Sequence, residues 1–285
     1  MNEQFRRPAR QSPERPDTFF AFVAGLYAAA LLSPAVVIGL GLWVTGNAGV
    51  LYFGMLAAII AITATVTWAV TRWAGLPERI GASRLGWTLA LFPIFAAGGY
   101  FAFVAAVEPS PANAGALVGF FFGLFGMLIG LGLAAMSRNR YTAAVVDEDA
   151  VACEWTAGWP EPQRQRLQYV SIVGMLFIVC AMAVDALLNV EWLFPVAQVL
   201  FIPALVVGNL GQQRTYRVSP AGLERRYPAV RSIYRWESFE SYTVTDDVIV
   251  VRWQSRWRPA IRCARDDLDD EDAVVDALAE HLKRV

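Results

Sequence analysis

Residues 18–71 form a stretch of 54 positions without one Lys, Arg, Asp, Glu or His, interrupted only by the turn-like Thr45-Gly46-Asn47. A soluble helix of this length carries a charged face, whereas crossing the hydrocarbon core takes about 20 apolar residues per helix. The stretch therefore predicts two membrane spans, 19–43 and 49–70. The same reasoning gives 86–107, 114–136, 168–188 and 191–210, for six spans in all. Composition agrees, with 56% hydrophobic and 17% charged residues and a mean hydropathy of +0.41. The first apolar run is too long for the core of a signal peptide, and further spans follow it. It is read as a retained anchor.

Orientation follows from the arginines, because cytoplasmic loops carry the Lys/Arg excess. Arg6, Arg7, Arg10 and Arg15 precede the first span; Arg72, Arg79 and Arg84 lie in the second loop; Arg138, Arg140, Arg164 and Arg166 lie in the fourth. The first, third and fifth loops have neither Lys nor Arg. Both termini are expected in the cytoplasm of a multi-pass cell-membrane protein, with Trp43, Trp73, Trp87 and Trp192 near span ends as interfacial anchors.

Within the spans, ionisable groups are limited to Asp185 and Glu191, near one interface, which argues against a charge-coupled pump. Pro34, Pro93, Pro195 and Pro203 are common enough in membrane helices to be weak evidence for a cavity. In the fourth span Gly119, Gly123, Gly126 and Gly130 recur at spacings of four, three and four, on one helix face. Such a face admits a second backbone closely, either inside this bundle or at a dimer interface.

The soluble material comprises the tail 211–285 and the fourth loop, 137–167. In the tail, short strands are predicted at 215–219, 223–227, 231–236, 240–244 and 248–253, with a weaker one at 259–264. Val274, Val275, Leu278, Leu282 and Val285 then repeat at helical spacing, with acids before them and Lys283-Arg284 after, which suits a helix dipole. The fourth loop predicts a hairpin of 141–146 and 150–155 around Asp147-Glu148-Asp149, which either joins the tail's sheet or lies apart from it. A faint internal repeat relates the two pieces, since each follows a helix pair with an Arg-rich, Tyr-containing strand start.

Tyr216-Arg217-Val218-Ser219-Pro220-Ala221-Gly222-Leu223, followed by the Trp236-centred Ile233-Tyr234-Arg235-Trp236-Glu237-Ser238-Phe239, resembles the prokaryotic pleckstrin-homology-like domains that follow membrane helices. The resemblance covers about a quarter of the chain. It implies a partly open barrel or sandwich of seven strands capped by a C-terminal helix, noncatalytic and used for lipid-surface or protein contacts.

Chemistry-bearing residues are few. His281 is the single histidine, so no histidine pair exists to hold a metal. Cys153, Cys180 and Cys263 have no C-x-x-C spacing and are read as small buried residues. The run of acids from Asp266 to Asp272 lacks the glycine and spacing of an EF-hand loop and is read as a helix-capping face. No P-loop, dinucleotide motif or nucleophile elbow is present, and no cofactor is expected. The remaining polar cluster is Arg252, Trp253, Arg256, Trp257, Arg258, Arg262 and Arg265, a candidate contact for anionic headgroups or another membrane protein. Thirteen basic residues in the tail are balanced by thirteen acidic ones, so charge pairing inside the domain competes with that role and nucleic acid is not an expected partner. The chain thus reads as a noncatalytic, α-helical integral membrane protein displaying a small cytoplasmic α+β domain. The alternative is a small permease or channel subunit with a regulatory β domain.

Overall fold

A computed structural model describes residues 17–83, 86–107, 110–188, 196, 197, 200, 204 and 207–285. The arginines before residue 17, Arg84, Trp192, Glu191, Pro195, Pro203 and most of the expected span 191–210 lie outside the described residues. The chain divides into two compact units, one ending at Val145 and including Ala229–Ser232, the other made of Val146–Pro228 and Ile233–Val285.

The first unit is helical: α1 (Thr18–Trp43), α2 (Ala48–Thr71), α3 (Leu76–Ala82), α4 (Gly86–Ala106) and α5 (Pro111–Val145). Asp17 caps α1 by accepting from the Phe20 amide, and Asn47 caps α2 by accepting from the Gly49 and Val50 amides. Together with α6 (Glu161–Leu188) of the second unit, α1, α2, α4 and α5 are five described helices long and apolar enough to cross a membrane. Helix α5 packs on both α4 and α1, and α2 packs on α1. The described part of the second loop is no plain connection, because Gly75 turns the chain at φ 74° and α3 follows it to pack on α5.

Three expectations are corrected here. Residues 141–146 are not a strand: α5 runs 35 residues without a break, past the apolar segment and through Tyr141, Thr142 and Val145. Thr142 is buried and donates to the Arg231 carbonyl, while Asn139 donates to the Ala229 carbonyl and accepts from the Arg231 amide. Packing there overrides the strand preference of Tyr, Thr and Val. Likewise α6 starts at Glu161, seven residues before the apolar run. The final helix ends at Ala279, because the chain then straightens and the Val285 amide donates to the Tyr242 carbonyl while the Tyr242 amide donates to that of Lys283.

The second unit carries two antiparallel sheets. One has the order β1-β2-β3-β4, with β1 (Cys153–Ala157), β2 (Arg214–Ser219), β3 (Gly222–Arg226) and β4 (Arg231–Tyr234); the other is β5-β6-β7, with β5 (Phe239–Val244), β6 (Val248–Trp253) and β7 (Ile261–Ala264). One strand of the fourth loop thus joins the tail's sheet, Cys153 opposite Val218 and Ala157 opposite Arg214. Between β2 and β3, Gly222 at φ 147° sits where a Cβ would meet the Tyr234 carbonyl, so no other residue fits that turn. The inward faces of both sheets and α7 (Glu271–Ala279) share one core built on Trp155, Tyr216, Leu223, Tyr242, Val251 and Leu278. Asp270 caps α7 by accepting from the Ala273 amide, with Glu271 and Asp272 in the first turn, where the helix dipole favours acids.

Candidate functional site

In the first unit the glycine face is filled from within. A Cβ on Gly119 would strike the Tyr100 ring, one on Gly123 the Ala97 backbone, and one on Gly130 the Leu89 carbonyl, all on α4; Gly126 faces Leu31 of α1 and Pro93 of α4. All four glycines are buried. Pro93 has no amide hydrogen, so the Leu89 carbonyl lacks its helical donor, and the Tyr27 hydroxyl of α1 supplies one at 2.9 Å. The Tyr100 hydroxyl returns a hydrogen bond from α4 to the Leu31 carbonyl at 2.6 Å. These bonds and the glycine seam bring three helices to backbone distance without a charged group.

At one end of the same unit, Asp17, Phe20, Trp73, Pro77, Glu78 and Arg140 line a cleft of about 130 Å³. Arg140 holds the Asp17 carboxylate at 2.7 Å and neutralises it. Among the described residues no three His, Cys, Asp or Glu side chains converge to hold a metal ion.

The second unit contains a ladder of charge that the sequence does not announce. Glu224 is fully buried on β3 and accepts from Arg226 at 2.8 Å and from Arg217 at 3.4 Å. Arg217 reaches Glu148 at 2.7 Å and Glu154 at 2.8 Å as well. Burial alone would lower the pKa of the Arg217 guanidinium, but the Glu148 hydrogen bond and the charges of Glu148, Glu154 and Glu224 outweigh it and raise it. The ladder ties β1, β2 and β3 together. The only sequence signal for it is opposite charge at paired positions, Arg217 opposite Glu154 on one side and Glu224 on the other.

The Arg/Trp cluster splits into three parts. Trp253 belongs to the core and not to the surface: it stacks on Phe239 at 4.5 Å, meets Tyr234 edge-on at 4.8 Å and donates Nε1–H to the Pro259 carbonyl at 2.9 Å. Period-two alternation along β6, which places Ile249, Val251 and Trp253 on the inner face, is the signal that identifies it. Arg262 and Arg265 are structural. Arg262 donates to Gln163 Oε1 at 2.8 Å and lies over the Trp159 ring; Arg265 pairs with Glu271 at 2.8 Å and also donates to the Thr245 and Asp246 carbonyls. Arg252, Arg256, Trp257 and Arg258 face solvent.

The turn that presents them is well defined. The Arg258 amide donates to the Ser255 carbonyl at 3.2 Å, closing a β-turn with Arg256 and Trp257 at its two central positions. The Trp253–Pro259 bond closes the loop beneath it, and the Gln254 amide donates to the Ser238 carbonyl at 2.9 Å. Trp257 is 97% exposed. The Arg258 guanidinium sits 5.1 Å from the Trp253 ring centre, and among the described residues Arg252 and Arg256 have no carboxylate partner.

The cysteines and the histidine also find places. Cys263 is buried on β7, and burial pushes its thiol up to about 12. Cys153 is half-buried, its thiol raised by burial and by the charge of Asp270. Cys180 departs from expectation: it lies on an exposed face of α6, where a small apolar residue suits lipid contact as well as a core. His281 stacks on Trp236 at 4.4 Å. Compared with protein-family models, curated proteins and solved structures, the chain matches none of them.

Proposed function

We propose that this chain is a noncatalytic, multi-span cell-membrane protein with both termini in the cytoplasm, whose antiparallel domain is a pleckstrin-homology-like module for contact with a protein or lipid surface. The observation that carries this reading is the fastening of the domain to the foot of α6. Arg262 bonds Gln163 in the first turn of that helix, the Ala264 amide donates to the Gly158 carbonyl at 2.9 Å, and Asp267 accepts from the Gly158 amide and from Gln213. A small domain joined so tightly to an apolar helix is held at the membrane surface whenever that helix spans. Seven strands in two antiparallel sheets and a terminal helix on their shared core support the pleckstrin-homology-like reading. The arginine-free first, third and fifth loops support the orientation.

The close seam of α1, α4 and α5 favours a supporting scaffold over the alternative, a permease or channel subunit, since Gly119, Gly123 and Gly130 leave no room for even a methyl group. Two measurements test the reading. Single cysteines at exposed Asp147 and Asp246, in a Cys153→Ala, Cys180→Ala background, are expected to react with a membrane-impermeant maleimide in inverted vesicles and not in intact cells; the opposite pattern sinks the cytoplasmic domain. Proteoliposomes of the full chain are expected to retain ions and small solutes as well as empty liposomes do. Conduction above that background would replace the scaffold by the permease.

A further inference from the structure

In the turn Ser255-Arg256-Trp257-Arg258, Arg258 lies over the Trp253 ring, whereas among the described residues the Arg256 and Trp257 side chains make no hydrogen bond, ion pair or ring contact. A tryptophan side chain 97% exposed to water is costly unless something covers it. From 248 to 265 the chain holds Arg252, Arg256, Arg258, Arg262 and Arg265 and no acid, although the tail as a whole is neutral. Arg262 and Arg265 are engaged elsewhere, which leaves Arg252, Arg256 and Arg258 exposed within five residues of Trp257 along the chain.

Position narrows the occupant. Trp257 lies five residues before Arg262, whose side chain is bonded to Gln163 at the start of α6. Five residues span at most about 18 Å of chain. The first turns of α6 carry Arg164 and Arg166, the basic rim expected where a span enters the headgroups, before the apolar stretch that makes α6 long enough to cross. A tryptophan prefers that interfacial layer, and arginines prefer an anionic one.

We infer that the β6–β7 turn is a lipid-contact element, with Trp257 seated in the interfacial layer of the bilayer that holds α6 and with Arg252, Arg256 and Arg258 at the phosphates of anionic headgroups. This rests on the proposed function and selects the lipid surface from its two kinds of partner. Each arginine near an anionic surface is worth about fivefold in partitioning, so the three together weight the docked state on the order of a hundredfold. The rigid base of the turn, closed by the Trp253–Pro259 bond, lets the contact fix the domain's attitude to the membrane.

The test uses the full chain in nanodiscs of brominated phosphatidylcholine, alone or with one third phosphatidylglycerol. The Trp257 signal is isolated as the difference between the native chain and Trp257→Phe. In the anionic discs that difference is expected to be blue-shifted and quenched by the bromines, and to lose both properties in pure phosphatidylcholine, in high salt, or in an Arg252→Gln, Arg256→Gln, Arg258→Gln variant. Continued resistance of Cys263 to maleimide shows that each variant is folded. A Trp257 signal that is unquenched in anionic discs overturns the inference, and so does quenching of equal size in both lipids. Protection of Trp257 from oxidation in native membranes but not in anionic discs also overturns it and assigns the turn to a protein. Each of these failures leaves the proposed function standing if the proteoliposomes stay sealed, whereas conduction removes that function whatever the turn does.

Discussion

The Tyr27 hydroxyl of α1 donates to the Leu89 carbonyl of α4 at 2.9 Å, the acceptor that Pro93, four residues on, leaves without a helical donor. A proline in a membrane helix is tolerated when a neighbour satisfies the carbonyl it strands. Tyr27→Phe is therefore expected to destabilise the helical unit by about 0.6–2 kcal/mol, the range for hydrogen bonds between membrane helices. Pro93→Ala restores the donor from α4 itself. In that background Tyr27→Phe should cost clearly less, and a double-mutant cycle of thermal unfolding in detergent measures the difference. Equal cost in both backgrounds would show that Tyr27 acts by packing alone.

Gly130 and Gly132 provide a matched pair on α5. A Cβ on Gly130 would collide with the Leu89 carbonyl, while one on Gly132 meets nothing within 4 Å. Gly130→Ala should force α4 and α5 apart and cost about 1–3 kcal/mol, as overpacking does. Gly132→Ala should be neutral or raise the melting temperature, because Ala is the better helix former. Comparable losses for both would mean that the seam is not the contact that holds these helices.

Much of this architecture is legible in the residues, and the misses have physical causes. Long apolar runs identify the five described helices that are long and apolar enough to cross a membrane, because an apolar run of that length satisfies its own backbone only as a helix. Tyr141, Thr142, Val145 and Val146 read as a strand because local preference is a weak force, outweighed here by Asn139 and Thr142 binding the backbone of residues 229–231. The C-terminal helix looks longer in sequence than it is, since Leu282 is buried as helical spacing requires but reaches the core after α7 has ended. Trp253 hides among arginines until strand alternation is applied. Glu224 is harder to single out, because its burial depends on Arg217 of β2 and Arg226 of β3, which only the fold brings to it.

Glu224 is fully buried between Arg217 and Arg226. Removing one member of a buried ion pair costs about 3–5 kcal/mol where it leaves a charge without compensation; here Arg217 keeps Glu148 and Glu154, and Arg226 keeps Glu148, so the cost falls below that range. Glu224→Gln should still lower the stability of the β domain more than Glu154→Gln, which is about half exposed and should cost less than about 1 kcal/mol. Denaturant unfolding of the full chain, followed by the near-ultraviolet signal of Trp155 stacked on Tyr216, reports the domain directly. A Glu224→Gln variant as stable as the native chain would show that the ladder is dispensable.

The same domain should fail at high pH for a reason located at Cys263. Burial raises its thiol from an ordinary 9.0 to about 12, so the folded chain keeps the proton where the unfolded chain has lost it. Stability from this group is complete below about pH 9 and is lost as pH rises toward 12, at about 1.4 kcal/mol per unit. Tyr216, its phenol also raised by burial, adds a loss of the same sign above pH 10. Cys153, its thiol also raised by burial and by the charge of Asp270, adds a loss of the same sign and is replaced by Ala in both chains compared. Between pH 9 and 10 denaturant midpoints should then fall clearly more steeply with Cys263 present than in Cys263→Ala, even though the variant begins lower because it leaves a cavity. If the two fall in parallel, the alkaline loss belongs to another group, and Cys263 is as inert in the unfolded chain as in the folded one.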